Sequence, residues 1–224
     1  MKTIIFSIIC LGFINTCFAQ TPIPDSLYWG QIPPGDSAVV FAPGIISLSS
    51  RRETKIFFSP DGLECLIGVG LNNTFKILYS DHYNGYWTEP LPANFIINEN
   101  PIEPFISPDS LNVFFISSAD IYVSTRVNGS WGTPVKLGSP VNTGYEEYHP
   151  TVTSEGTLYF CSMRNNGSLD IYCSKYENGN YSTIEKLDGV INRHNSQQNG
   201  AYDPFIAPDE SYIIFTSIRS GGYG

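Results

Sequence analysis

Four segments of the chain read alike: Lys55-Ile56-Phe57-Phe58-Ser59-Pro60-Asp61-Gly62, Glu103-Pro104-Phe105-Ile106-Ser107-Pro108-Asp109-Ser110, His149-Pro150-Thr151-Val152-Thr153-Ser154-Glu155-Gly156 and Asp203-Pro204-Phe205-Ile206-Ala207-Pro208-Asp209-Glu210. They begin at residues 55, 103, 149 and 203, which is 48, 46 and 54 residues apart. An apolar triplet follows each: Cys65-Leu66-Ile67, Val113-Phe114-Phe115, Leu158-Tyr159-Phe160 and Ile213-Ile214-Phe215. A repeat of this length means one supersecondary unit copied along the chain, each copy burying its apolar faces against its neighbours. The Pro-Asp step predicts a tight turn between two strands, since proline presets φ and the aspartate caps through its side chain. Pro104, Pro150 and Pro204 stand at strand starts, where a missing donor is tolerated.

A second element keeps the same phase. Ile77-Leu78-Tyr79-Ser80, Ile121-Tyr122-Val123-Ser124 and Ile171-Tyr172-Cys173-Ser174 lead to Asn84-Gly85, Asn128-Gly129 and Asn178-Gly179, with Trp87, Trp131 and Tyr181 two residues beyond. Asn-Gly between apolar strands is a strong hairpin signal, because both residues accept positive φ. Ile97-Asn98, Val141-Asn142 and Ile191-Asn192 then mark the expected end of a fourth strand. Four short strands per unit, repeated near 50 residues, is the content of a β-propeller blade. The expected fold is therefore all-β, a β-propeller of four-stranded antiparallel blades. The Ser-Pro-Asp-Gly turn, Ser-x-Arg at Ser162-Met163-Arg164 and Ser217-Ile218-Arg219, and Asp-Ile-Tyr-x-Ser from Asp120 and Asp170 resemble the WD-like repeat of TolB-type proteins. The resemblance runs over residues 37–224, with departures at Lys76, Ala119 and the shortened turn Ser154-Glu155-Gly156.

That resemblance implies about six blades, whereas blades starting near 53, 101, 147 and 201 make about three and a half, so an incomplete ring is expected. Residues 37–47, with Val39-Val40-Phe41, read as a ring-closing outer strand, and 20–36 as a lead-in to the propeller fragment at 37–224. Residues 1–19 have the make-up of a cleaved signal peptide: Lys2, an apolar run from Ile4 to Phe18, and small Ala19 at the cleavage position. A lipidated Cys17 is the rival reading of the same segment. Either way the chain is expected to be exported, to periplasm, outer surface or medium, and not to span a membrane. Cys65, Cys161 and Cys173 then remain, too few for a disulfide framework; Cys161 and Cys173 are either bridged across a hairpin or two buried thiols.

The formal net charge of −9, with no basic run longer than Arg51-Arg52, argues against nucleic acid as a partner. The sequence contains no G-x-S-x-G, H-E-x-x-H, P-loop or paired C-x-x-C motif. The positions that draw attention are Lys55, Glu103, His149 and Asp203, each just before the first strand proper. In a propeller the first strand lines the channel, so these four are candidate ligand-binding residues, or simply the polar lining of a wet channel. Glu146 and Glu147 add negative charge beside His149. Trp87, Trp131 and Tyr181 form either a sugar platform or, as their common phase suggests, blade packing. Two functions are carried forward. One is an exported non-enzymatic scaffold, monomeric as a complete chain, that needs no cofactor and binds a protein, peptide or glycan. The other is a hydrolase or lyase of extracellular polysaccharide, using a channel divalent metal or acid–base site built on His149, Glu103 and Asp203. It predicts bound metal and turnover lost in His149→Ala, whereas the scaffold predicts neither.

Overall fold

A computed structural model describes residues 28–96, 100–165, 167–192 and 200–217. The signal segment 1–19, Asn98, His194 and Arg219 lie outside the described residues. The first sheet contains β1 (Arg52–Phe58), β2 (Glu64–Leu71) and β3 (Thr74–Tyr83), with β4 (Tyr86–Trp87) and β5 (Leu91–Pro92) both paired on β3. The second repeats it as β6 (Ile102–Ile106), β7 (Asn112–Ser117), β8 (Asp120–Val127), β9 (Ser130–Trp131) and β10 (Val135–Lys136). The third runs β11 (Glu147–Val152), β12 (Leu158–Asn165), β13 (Ser168–Ser174) and β16 (Glu185–Lys186), with β14 (Tyr176–Glu177) and β15 (Asn180–Tyr181) forming the small hairpin. A fourth pairs β17 (Ala201–Ile206) with β18 (Ile213–Ser217). Every pairing within these sheets is antiparallel.

Both predicted turns are present. Gly62 N–H donates to Ser59 O at 2.8 Å, and Glu64 N–H donates to Ser59 Oγ at 2.8 Å. Asp61 Oδ1 accepts from Ser59 Oγ and from Leu63 N–H. Ser107 and Asp109 repeat the arrangement with Leu111 and Asn112. Each Asn-Gly pair has both residues at positive φ, 51° and 84°, 51° and 80°, and 52° and 80°, closing hairpins of two-residue loops. That geometry matches the twist of the flanking strands.

The fourth strand differs from expectation. It breaks into two-residue pieces, and Val141-Asn142 and Ile191-Asn192 are not its end. Instead Asn142 Oδ1 accepts from Ile121 N–H at 2.8 Å, while its Nδ2 donates to Ile121 O and Leu137 O at 2.8 Å each. Asn192 does the same with Ile171 and Leu187. One side-chain amide thus supplies the pairing that another residue of strand would have supplied, and the buried backbone stays satisfied.

The core lies between sheets. Leu66, Ile77 and Phe95 of the first pack on Ile106, Val113 and Phe115 of the second. Phe105, Phe114 and Ile121 pack on Val152, Leu158 and Phe160 of the third. Cys161 and Ile171 pack on Ala201 of the fourth. The second strands β2, β7 and β12 are therefore buried on both faces, as their unbroken apolar runs require. Residues 37–47 carry an isolated bridge between Pro43 and Ser47. Ala42 and Ile46 lie on the outer face of the first sheet against Cys65, Ile67 and Leu78, and Trp29 stacks on Trp87 at 5.0 Å. On the far side, Phe205 and Ile214 remain exposed on the fourth sheet.

Cys161 and Cys173 are free. The register sets Cys161 opposite Ile171 and Cys173 opposite Tyr159, two residues out of step with a direct pair.

Candidate functional site

The inner strands β1, β6, β11 and β17 share one local device. In the last three, pairing slips between Ile102 and Phe105, between Tyr148 and Thr151, and between Tyr202 and Phe205. The bulge puts Glu103, His149 and Asp203 at φ of 57°, 54° and 53°. Left-handed backbone is uncommon for residues other than glycine, and it re-aims the side chain out of the sheet. Proline follows each of the three, so the strand resumes with φ fixed. In β1 the slip comes earlier, between Glu53 and Lys55, and no proline follows.

These bulges bring all four predicted residues together. His149 Nδ1 lies 2.8 Å from Glu103 Oε2, and the His149 backbone N–H donates to the same oxygen at 3.1 Å. Asp203 Oδ1 is 3.4 Å from His149 Nδ1 and 3.8 Å from Lys55 Nζ. The order Glu103–His149–Asp203–Lys55 is a line of ionisable groups crossing from the second sheet to the first by way of the third and fourth. Glu103, His149 and Lys55 are largely shielded, while the Asp203 carboxylate is 50% exposed and forms the accessible point of the line. Among the described residues no three His, Cys, Asp or Glu side chains are disposed to hold a metal ion. Lys55 and Asp203 form an ion pair at one end of the line, and Glu103 and His149 stand in contact at the other.

Glu147 turns away from this cluster. Its side chain is fully buried, accepting from Thr143 N–H at 3.1 Å, Thr143 Oγ1 at 2.6 Å and Ser162 Oγ at 2.9 Å, with Arg164 Nη2 at 3.3 Å. Arg164 also donates to Pro140 O and Val141 O, so Ser162-x-Arg164 ties the third sheet to the loop leaving the second. The motif is architectural, as is the pair Asp170–Lys186 at 2.6 Å, which Asp120–Lys136 repeats at 2.6 Å. In the first sheet both partners change together, to Lys76 and Pro92.

Trp87, Trp131 and Tyr181 also serve packing. Trp131 meets Phe95 at 5.6 Å and carries the Arg126 guanidinium at 4.1 Å, and Tyr181 is buried between the second and third sheets. Burial pushes the Cys65 thiol up to about 12, the Cys173 thiol up to about 11, and that of Cys161 higher still. All three stay protonated at neutral pH and are poor nucleophiles. His82 lies at 5.3 Å from Trp87, within the first sheet's hairpin.

Sheets stacked about one line of inner strands, each a meander running outwards, are an arrangement that solved structures share. TolB from Acinetobacter baumannii superposes with a TM-score of 0.52 at 17% identity, over 77% of this chain and 39% of that one. The fold is a β-propeller. A TolB protein from Agrobacterium tumefaciens gives 0.52 at 19% identity, over 76% of this chain and 56% of its own. A puromycin-hydrolyzing peptidase from Mycobacterium tuberculosis gives 0.50 at 10%, over 78% and 30%. At such identities the likeness concerns the fold alone. The propeller described here spans little more than half of these relatives' lengths at most. No protein-family model and no curated protein matches the sequence.

Proposed function

We propose that this propeller is a non-enzymatic scaffold that takes a protein, peptide or glycan partner at its inner-strand face, with Lys55, Glu103, His149 and Asp203 as the polar contacts. The observation that carries this reading is their convergence from four separate sheets, three of them on left-handed backbone. Backbone in a sparsely populated region costs about 1–3 kcal/mol per residue and persists where surrounding structure over-determines it, often at ligand sites. An exposed carboxylate backed by an imidazole and an ammonium offers both donors and acceptors to a polar partner. The acidic balance of −9 disfavours nucleic acid there. Export to periplasm, outer surface or medium belongs to the same proposal and rests on residues 1–19, as does a monomeric complete chain on the closed ring the resemblance implies. No helix among the described residues is long and apolar enough to cross a membrane.

The test is a glycan and peptide array probed with the wild-type chain and with Asp203→Ala. A ligand held by the first and lost by the second, with thermal unfolding unchanged, supports the reading; ligands held equally by both refute this site. A hydrolase or lyase is the second reading, since Glu103 and Asp203 flank one imidazole as an acid–base group requires. Polysaccharide turnover that disappears in His149→Ala would establish it in place of the scaffold.

A further inference from the structure

The gap between successive sheets, on the rim that bears the Asn-Gly hairpins, is filled differently at each boundary. Between the first and second sheets Arg126 crosses it: the guanidinium lies on Trp131 and bonds Glu64 at 2.6 and 2.8 Å. On the outer side of the first sheet Trp29 covers Trp87. Between the second and third sheets the corresponding positions are Tyr176 for Arg126, Tyr181 for Trp131, Asn112 for Glu64 and Asp109 for Asp61. Asn112 is held in its own sheet by Thr125, and Tyr176 stays on Tyr181 at 4.9 Å with half its surface exposed. A cavity of about 350 Å³ remains, within the size range of ligand pockets. Asp109 and Glu155 line it, and no lysine, arginine or histidine does.

We infer that this cavity is a binding site for a guanidinium group, the arginine side chain of a peptide or protein partner. The chain's own Arg126 shows what chemistry the equivalent gap accepts: a planar cation on an aromatic ring with one carboxylate, Glu64, at its edge. At the open boundary Asn112 stands where Glu64 does and Tyr176 where Arg126 does; Tyr176 and Tyr181 offer rings, Asp109 and Glu155 offer carboxylates, and no cationic side chain lines the cavity. This surface is separate from the channel cluster, so either assignment can fail without the other.

The probe is acetyl-Gly-Arg-Gly-amide, titrated into the whole chain and followed by amide NMR shifts, with citrulline and lysine peptides in parallel. Shifts are expected around Asp109, Glu155, Gly156 and Tyr176, with millimolar affinity, and the neutral citrulline peptide binding at least about fivefold more weakly. Glu155→Gln is expected to weaken the arginine peptide about threefold without moving the thermal midpoint. The double variant Tyr176→Arg with Asn112→Glu copies the filled boundary and should abolish the shifts while the protein stays folded by thermal unfolding. Equal binding of arginine and citrulline peptides, a lysine peptide bound as tightly, undiminished binding in the folded double variant, or no shifts in the millimolar range would each overturn the assignment. If the double variant does not fold, the citrulline comparison and Glu155→Gln decide the matter alone.

Discussion

Glu147→Ala should be among the most damaging single substitutions in the chain. The carboxylate is fully buried and receives four polar contacts, from Thr143 N–H, Thr143 Oγ1, Ser162 Oγ and Arg164. Truncating one partner of a buried pair costs about 3–5 kcal/mol, because the remaining donors lose their acceptor in a place water does not reach. Arg164 keeps three other acceptors, Ser162 Oγ, Pro140 O and Val141 O, and is 17% exposed, so its share of the penalty is softened. The low end, about 3 kcal/mol, is the expected loss, a shift of roughly a hundredfold in the folding equilibrium and a sizeable part of the ~5–15 kcal/mol typical of a domain. Urea denaturation at neutral pH followed by tryptophan fluorescence measures it. Arg164→Ala in the same background should cost less than it does in the wild type, with a coupling of about 1–2 kcal/mol. Glu146→Ala, one residue earlier and exposed, should lie within about 0.5 kcal/mol of wild type. A loss below about 1 kcal/mol in Glu147→Ala, or equal effects at 146 and 147, would refute the buried-network account.

Asn142→Ala removes three hydrogen bonds to buried backbone and should cost about 2–3 kcal/mol in the same assay, with Asn192→Ala close to it. Ser110 holds φ 58° where Gly62 stands in the first turn, so Ser110→Gly is expected to leave stability unchanged or raise it by up to about 1 kcal/mol, while Gly200→Ala, at φ 95° with Leu169 O only 2.1 Å from the added Cβ, should lose about 2 kcal/mol or more. Burial raises the Asp61 carboxyl, but hydrogen bonds from Ser59 and Leu63 and the charge of Arg126 outweigh it, leaving the group below its ordinary value. The stability it contributes is therefore present above the unfolded value near 3.8 and is lost as pH falls through the lower folded one, so Asp61→Asn should flatten the acid limb of the urea midpoint against pH. Cys65, Cys161 and Cys173 should resist a thiol reagent at neutral pH in the native protein and react promptly in denaturant; fast native labelling of Cys65 or Cys161 would contradict their burial.

The repeat made the architecture legible because two turn motifs with mechanisms of their own kept phase: Pro-Asp between first and second strands, Asn-Gly beyond the third. The convergence of Lys55, Glu103, His149 and Asp203 was legible for the same reason, since four residues at one phase of a repeat reach one place around an axis. Their mutual contacts were not, because a bulge and a left-handed φ leave no mark in composition beyond the following proline. The asparagines at 142 and 192 read as strand ends because an amide that imitates a backbone pair looks, in sequence, like any turn residue. Glu147 and Glu146 could not be told apart either: period-2 alternation puts one inward, but the bulge two residues on upsets the count.

Zero-length carbodiimide coupling of the native protein, followed by peptide mass spectrometry, tests the shared axis. Lys55 and Asp203 are far apart in sequence, on the first and fourth sheets, yet their side chains stand 3.8 Å apart. A linked Lys55–Asp203 peptide, formed in buffer and lost in denaturant, is the predicted result. Coupling of Lys136 to Asp120, whose atoms are 2.6 Å apart within one sheet, without any Lys55–Asp203 product would contradict the convergence of the inner strands.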